Sequence, residues 1–443
     1  MQVMDATIIN VALPTLAEEF DVEVTAVDWT VLSFSLALAV MTASAGWFGD
    51  RFGLKQTFVV ALVGFVVASA LCGAAQTLNQ LIAFRALQGG FAGALAPIGS
   101  ALIFGAFPLE ERAIAARKVV TVVVIAPALG PIVGGAILEV TSWRWIFYVN
   151  VPIGIVATAM AVLWLRRDEA RPGEPFDLTG FFLAASSIGL LIFGVSRGTE
   201  RGWTSAVIVL SLSVGAALAV ALVVVELRQP NPLLPLRLLQ DRLFGVANLL
   251  TVPLYAGFLA LIFLVPQFVQ NEGGYSPLEA GFALLPQPIG ILIMSQVVGR
   301  VLYDRFGPRR LLVAGCVLGV VSGIAMTQVP PDASILLFGA ILFVRGCGVG
   351  LVFVPLQTAA YATISQQDLP RATAILNTTR QFSPALGVAI ASAVLAAGLG
   401  DATGGADRID AYQQAMWASV MLFAIATLVA TRISDDQAAG TRR

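Results

Sequence analysis

The chain has 443 residues, of which 58% are apolar and only 12% charged, with a formal net charge of −1 and no histidine. A soluble domain carries about 25% charged residues, so this composition belongs to a polytopic membrane protein, and it excludes histidine proton relays and histidine-ligated metals. The three cysteines, Cys72, Cys316 and Cys347, stand singly in apolar runs without ligand spacing and read as buried small hydrophobes, so no metal site is expected.

A spanning helix needs about 20 mostly apolar residues. Runs of that length predict thirteen spans, near 28–47, 57–76, 79–105, 118–138, 146–165, 178–196, 204–226, 243–269, 278–299, 311–329, 333–363, 372–399 and 413–432. Ahead of them Met1 to Leu16 is apolar but short, reaching ~24 Å at 1.5 Å per residue against a ~30 Å hydrocarbon core. It reads as an incomplete first span, so fourteen spans are expected in the intact protein. Either the true start lies upstream or half a span has been lost. The segment is no cleaved signal peptide, since it lacks a charged leader and carries Asp5 and Asn10.

Basic residues concentrate in cytoplasmic loops. With the N-terminus inside, nineteen lysines and arginines fall on the inner face, and only Arg144, Arg197, Arg201 and Arg408 on the outer one. Both termini are therefore expected in the cytoplasm. Glu18 to Asp28 carries five acids and no base and is expected to be a solvated outer loop. Lysine occurs only at Lys55 and Lys118, an arginine bias that fits a GC-rich bacterial source and hence the inner membrane. No polar linker is long enough for a nucleotide-binding domain, and no Walker-type loop is present. Active transport would then draw on an ion gradient.

A glycine-punctuated turn with both signs of charge, Gly46-Trp47-Phe48-Gly49-Asp50-Arg51-Phe52-Gly53-Leu54-Lys55, lies between the second and third spans. A second version, Gly299 to Arg309, carries Asp304-Arg305-Phe306-Gly307-Pro308-Arg309, with Asp304 standing 254 residues after Asp50. Arg85 in the fourth span and Arg345 in the twelfth repeat at a similar offset, 260 residues. The spacing fits a parallel repeat. It predicts an all-α membrane protein of two six-helix bundles, 1–167 and 231–443, with two helices inserted over 168–230.

These stretches resemble the major facilitator superfamily, and within it the fourteen-span drug:proton antiporters. The turn at 46–55 is similar to the superfamily's loop motif, with Leu54 where a basic residue is common. Met4-Asp5-Ala6-Thr7-Ile8-Ile9-Asn10-Val11-Ala12-Leu13-Pro14 resembles the first-span signature, and Arg85 with Gln88-Gly89-Gly90 the fourth-span motif. Ala126-Pro127-Ala128-Leu129-Gly130-Pro131-Ile132-Val133-Gly134-Gly135 resembles the fifth-span antiporter motif. Trp143 to Pro152, Gly274 to Pro286 and Asn377-Thr378-Thr379-Arg380-Gln381 resemble family segments near spans six, ten and thirteen, although Ser383-Pro384 departs from the last. The resemblance covers the whole chain apart from the missing half-span. It implies a major-facilitator fold and export of small hydrophobic or cationic compounds in exchange for protons. No cofactor beyond the proton gradient, no nucleic-acid partner, no enzymatic activity and a lipid-embedded monomer are expected. A narrow-specificity metabolite or self-resistance exporter, or a non-transporting sensor or remnant, stands as the alternative.

Asp5 is the one acid read deep in an apolar run, a position costly unless it is paired or lines a hydrated path. It is assigned to proton coupling with Arg85 as partner; a polar packing role is the alternative, and Asn10 is read as a packing hydrogen bond. Gly46, Asp50, Arg51, Gly53 and Lys55, with Asp304, Arg305, Gly307 and Arg309, are read as a charge-paired latch on the inner face. Pro127, Gly130, Pro131, Gly134 and Gly135 are read as a bent, closely packed segment. Trp29, Phe34, Phe263, Gln267, Phe353, Gln357, Asn377 and Gln381 are candidate cavity-wall residues, each with a plain packing role as its alternative.

Overall fold

A computed structural model describes residues 1–166, 175–202, 205–401 and 404–441. The 167/168 boundary and the loop residues Arg167, Arg171, Arg442 and Arg443 lie outside the described residues, as does the side chain of Pro131. Among the described residues every long element is an α-helix, as lipid demands of a chain whose backbone groups must be satisfied within each segment.

Among the described residues fourteen helices of twelve residues or more follow one another, with shorter ones at Val24–Val27, Arg144–Tyr148 and Pro277–Leu284: α1 Gln2–Phe20, α2 Trp29–Phe52, α3 Leu54–Ala74, α4 Leu78–Ala106, α5 Arg112–Val140, α6 Asn150–Trp164 and α7 Leu178–Arg201. The remainder are α8 Ala206–Arg228, α9 Arg242–Asn271, α10 Pro286–Val297, α11 Tyr303–Thr327, α12 Ile335–Ala360, α13 Leu369–Asp401 and α14 Gly405–Ala430. Side-chain caps start several of them. The Thr77 hydroxyl accepts from Gln80 N at α4, and the Asp177 and Asp241 carboxylates accept from Gly180 N and Phe244 N at α7 and α9. Gly53 ends α2 and starts α3 at φ 83°, and Gly307 breaks α11 at φ 74°, in a region where only glycine is unstrained.

Among the described residues eleven helical stretches are long and apolar enough to cross a membrane, or twelve when Leu109–Pro127 and Ile132–Val140, which meet at 41°, form one span. The expected fourteen is not reached by that measure, for two physical reasons. The 49-residue stretch Glu279–Thr327 counts once, although it runs through the Gly307 break and is more than twice the length a ~30 Å core requires. The first helix does not qualify on its own. It nevertheless runs through Glu18 and Glu19 to Phe20, so those two acids belong to α1 and not to a loop.

Packing repeats with the chain. In the first half α1 packs on α5, α2 on α4, and α3 on α4 and α6; in the second, α9 packs on α13, α10 on α12, and α11 on α12 and α14. Adding eight to each number of the first set gives the second. The halves meet where α13 lies on α2 and α4, and where α5 lies on α10 and α12. Of the paired helices α7 and α8, α7 rests against α2 and α13 at that seam and α8 packs on α7.

Candidate transport site

In the first half the helices bring a closed polar cluster together. Asp5 on α1 and Arg85 and Gln88 on α4 are fully buried, as is Asn150 at the start of α6. Arg85 Nη1 donates to Asp5 Oδ2 at 2.5 Å and to Gln88 Oε1 at 2.6 Å, while its Nε reaches Thr30 O at 3.1 Å. The other carboxylate oxygen, Asp5 Oδ1, accepts from Asn150 Nδ2 at 2.6 Å and Gln88 Nε2 at 3.1 Å. Gln88 also donates to Ser69 Oγ at 2.6 Å. The Phe34 ring lies under the guanidinium, 4.1 Å from its carbon. One negative and one positive charge are thus held out of water side by side, with the carboxylate accepting from three nitrogens, the condition under which a buried ion pair is tolerated.

The duplicate position behaves differently. Arg345 on α12 is fully buried with no acid beside it; it donates to Gly257 O at 2.7 Å, Gly319 O at 3.3 Å and Ser419 Oγ at 2.8 Å. The Phe423 ring lies 4.5 Å away. It ties α9 and α11 through carbonyls and α14 through the Ser419 hydroxyl, so the repeat keeps an arginine but not the carboxylate.

The two charged turns lie on one face of the bundle. Asp50 Oδ2 accepts from Arg371 Nε at 2.5 Å, joining the end of α2 to the first turn of α13 across the seam. The approach is close: a Cβ added at Gly46 would stand 3.0 Å from Arg371 Cα. Lys55 Nζ donates to Val162 O and Leu165 O, each at 2.6 Å, closing the last turn of α6. Gly53 supplies the left-handed turn. In the second copy Gly307 does the same, Arg309 N donates to Asp435 Oδ1 at 2.9 Å, and Arg305 lies over Phe306. Asp304 occupies the first turn of α11. Neither Arg371 nor Arg112 was singled out from the sequence, yet Arg112-Ala113-x-Ala115 and Arg371-Ala372-x-Ala374 repeat at the same kind of offset. Arg112, nearly fully buried, donates to the Tyr361 carbonyl and fastens the other side of the seam.

A fully buried arginine–carboxylate pair in one half, a mirrored glycine turn in each, and a helix order that repeats after eight describe one kind of machine. The Major Facilitator Superfamily family model matches residues 1–388. The chain belongs to the major facilitator superfamily. The multidrug export protein EmrB of Escherichia coli is 34% identical over 88% of this chain and 77% of its own. The fatty acid resistance protein FarB of Neisseria gonorrhoeae is 32% identical over 88% and 78%. Among solved structures, the human organic anion transporter MFSD10 superposes with a TM-score of 0.68 at 14% identity, covering 97% of this chain and 96% of that one. The proton:xylose symporter XylE does so at 0.64 and 13%, over 96% and 91%. At those identities the structures establish the fold alone.

In this facilitator the glycines of α5 pack inside the first half and not at the seam. A Cβ at Gly130 would collide with Thr7 of α1, and one at Gly134 would stand 2.9 Å from Ile8 Cγ1. Gly135 has nothing within 4 Å, so its expected part in close packing is not seen. Pro127 closes the first arm of the 41° bend.

The cavity candidates do not form one wall. Trp29 is exposed and stacks on Phe193 of α7, with Arg197 over its ring. Phe34 belongs to the Arg85 cluster. Phe263 and Gln267 border a cavity of about 550 Å³ with Ser392 and Ala396, and Gln267 Nε2 spends a bond on Phe263 O. Phe353 and Gln357 are buried on α12, where Phe353 stacks on Tyr255 at 5.3 Å. Asn377 donates to Thr373 O within its own helix, and Gln381 is half-buried. Asn10 is exposed, so it makes no buried packing bond. Asp5 is also not the one buried acid. Glu226 at the end of α8 is fully buried, accepts from Leu234 N at 3.0 Å, and faces Asp177 across Gly180. Glu226 escaped the sequence reading because it stands at a span end beside Arg228, where a charge looks interfacial.

Proposed function

We propose that the protein is a secondary active exporter that moves small hydrophobic or cationic compounds out of the cytoplasm in exchange for protons. The observation that carries this reading is the buried Asp5–Arg85 pair. A carboxylate enclosed with an arginine and two neutral donors is a proton acceptor whose charge decides whether α1, α4 and α6 are bound together. A proton arriving at Asp5 cancels the ion pair and leaves Arg85 to Gln88 and Thr30. That change loosens one half while the other, held by Arg345 through carbonyls, is unaffected. Names of relatives range from multidrug export to fatty acid resistance, which favours a broad cargo.

The two halves, 1–167 and 231–443, act as rocking bundles about the seam, with 168–230 as an insert. The face carrying both glycine turns is cytoplasmic by its basic residues, both termini lie there, and the unit is a monomer embedded in lipid. Asp50–Arg371 and Arg112–Tyr361 fasten that face while the opposite face is open. The energy source is the proton gradient, and no bound cofactor takes part.

Inverted membrane vesicles with a dye-reported proton gradient test this directly. Adding transported compounds from a cationic and neutral panel is expected to dissipate the gradient, and Asp5→Asn is expected to abolish the response. An undiminished response in Asp5→Asn removes Asp5 from coupling. A panel without any coupled compound removes proton-driven multidrug export, and a response to one compound alone turns the reading toward a narrow exporter.

A further inference from the structure

Three arginines lie within the spans, Arg85, Arg345 and Arg380. The first is matched by Asp5 and the second by carbonyls and a hydroxyl. Each leaves a single nitrogen unpaired, Nη2 of Arg85 and Nε of Arg345. Arg380 on α13 is different: it is half-buried, among the described residues it has neither an ion pair nor a hydrogen bond, and its Nε and Nη2 are shielded from solvent and unpartnered. A guanidinium stays charged at any physiological pH, and holding it in a membrane interior without a counter-charge costs several kcal/mol. An anion would supply that counter-charge.

The surroundings say what kind. The Arg380 guanidinium carbon lies 5.9 Å from the Tyr255 ring centre. Tyr255 is stacked on Phe353 at 5.3 Å, and Phe258 meets Phe353 edge-on at 6.2 Å. This is an aromatic wall contributed by α9 and α12 beside a fixed positive charge. Tyr361 is fully buried with its hydroxyl unpartnered, and it interacts electrostatically with both Arg380 and Tyr255. One charged donor and one neutral donor therefore stand beside an apolar face, on a helix that forms the seam with α2 and α4. We infer that Arg380, with the Tyr361 hydroxyl, anchors the carboxylate or sulfonate head of an amphipathic anion whose apolar body lies on Tyr255 and Phe353. The inference rests on the export reading and widens its cargo to organic anions.

The test uses the full chain in phosphatidylcholine nanodiscs, where no anionic headgroup competes, and three probes that share one body: pyrenebutyrate, pyrenebutyramide and pyrenebutyl-trimethylammonium. The wild-type protein is expected to bind the carboxylate at least tenfold more tightly than the amide. In Arg380→Gln that preference is expected to vanish, with the ammonium probe bound as well as before or better. Arg380→Lys is expected to keep a reduced preference, and Tyr361→Phe to lose a few-fold. Equal wild-type affinity for carboxylate and amide, or an undiminished preference in Arg380→Gln, overturns the anchor. If Arg380→Gln does not fold, loss of the preference in folded Arg380→Lys together with an unchanged preference in Tyr361→Phe overturns it instead. Transport is read separately: an anion preference in a protein that exports no probe sinks the export reading and leaves the anchor standing.

Discussion

Arg345 and Arg85 occupy matching places in the two halves, and their different partners give them different tasks. Arg345 bonds carbonyls of Gly257 and Gly319 and the Ser419 hydroxyl, so Arg345→Leu strands those acceptors in the core. A loss of about 2–4 kcal/mol is expected, visible as a lowered midpoint of thermal unfolding in detergent, while proton coupling in the surviving folded protein is retained. Replacing Asp5 changes coupling instead. At this scale the sequence made the Asp5–Arg85 pair legible, because an acid and a base deep in apolar runs need each other. Asn150 was not legible: it is one neutral amide inside a long motif, and only the fold carries it to Asp5 Oδ1. Arg380 was quoted as part of a motif without a task, because a lack of partners cannot be read from neighbours in sequence.

The helix pair α1 and α5 shows how an element sets the geometry of that site. Gly130 and Gly134 admit Thr7 and Ile8, two to three residues past Asp5, against the backbone of α5. Gly130→Val is expected to push α1 away and to reduce gradient dissipation by tenfold or more, because Asp5 moves with its helix. Gly135→Val faces open space and is expected to leave export within twofold. The same assay in vesicles, normalised to folded protein, separates the two. Spacing alone identified the three glycines as a small-residue face, but it could not say which neighbour each one meets. The helices themselves were largely legible from apolar run length. Not all of their ends were, since α1 continues through two glutamates that read as part of a loop.

Across the whole molecule the duplication was the most legible property, because the turns and arginines recur at nearly one offset. The contacts that join the halves were the least legible. Asp50 and Arg371 stand 321 residues apart, and Arg112 and Tyr361 249 apart. Asp50→Arg is expected to open this face and cut export several-fold, and adding Arg371→Asp to restore part of it. Maleimide labelling of a cysteine placed at Gln366, which reaches across to Gly105 O, follows the opening. Unchanged labelling in Asp50→Arg removes the ion pair from control of the seam.

The two fastenings on that face also differ in kind. One joins a carboxylate to an arginine and the other an arginine to a peptide carbonyl. Only the first joins two full charges, whose attraction salt screens within the range a cell experiences. The face therefore has a clasp on the Asp50 side and a hinge on the Tyr361 side. Rising ionic strength is expected to loosen the clasp first, so that opening starts along α2 and α13 while α5 and α12 remain the pivot.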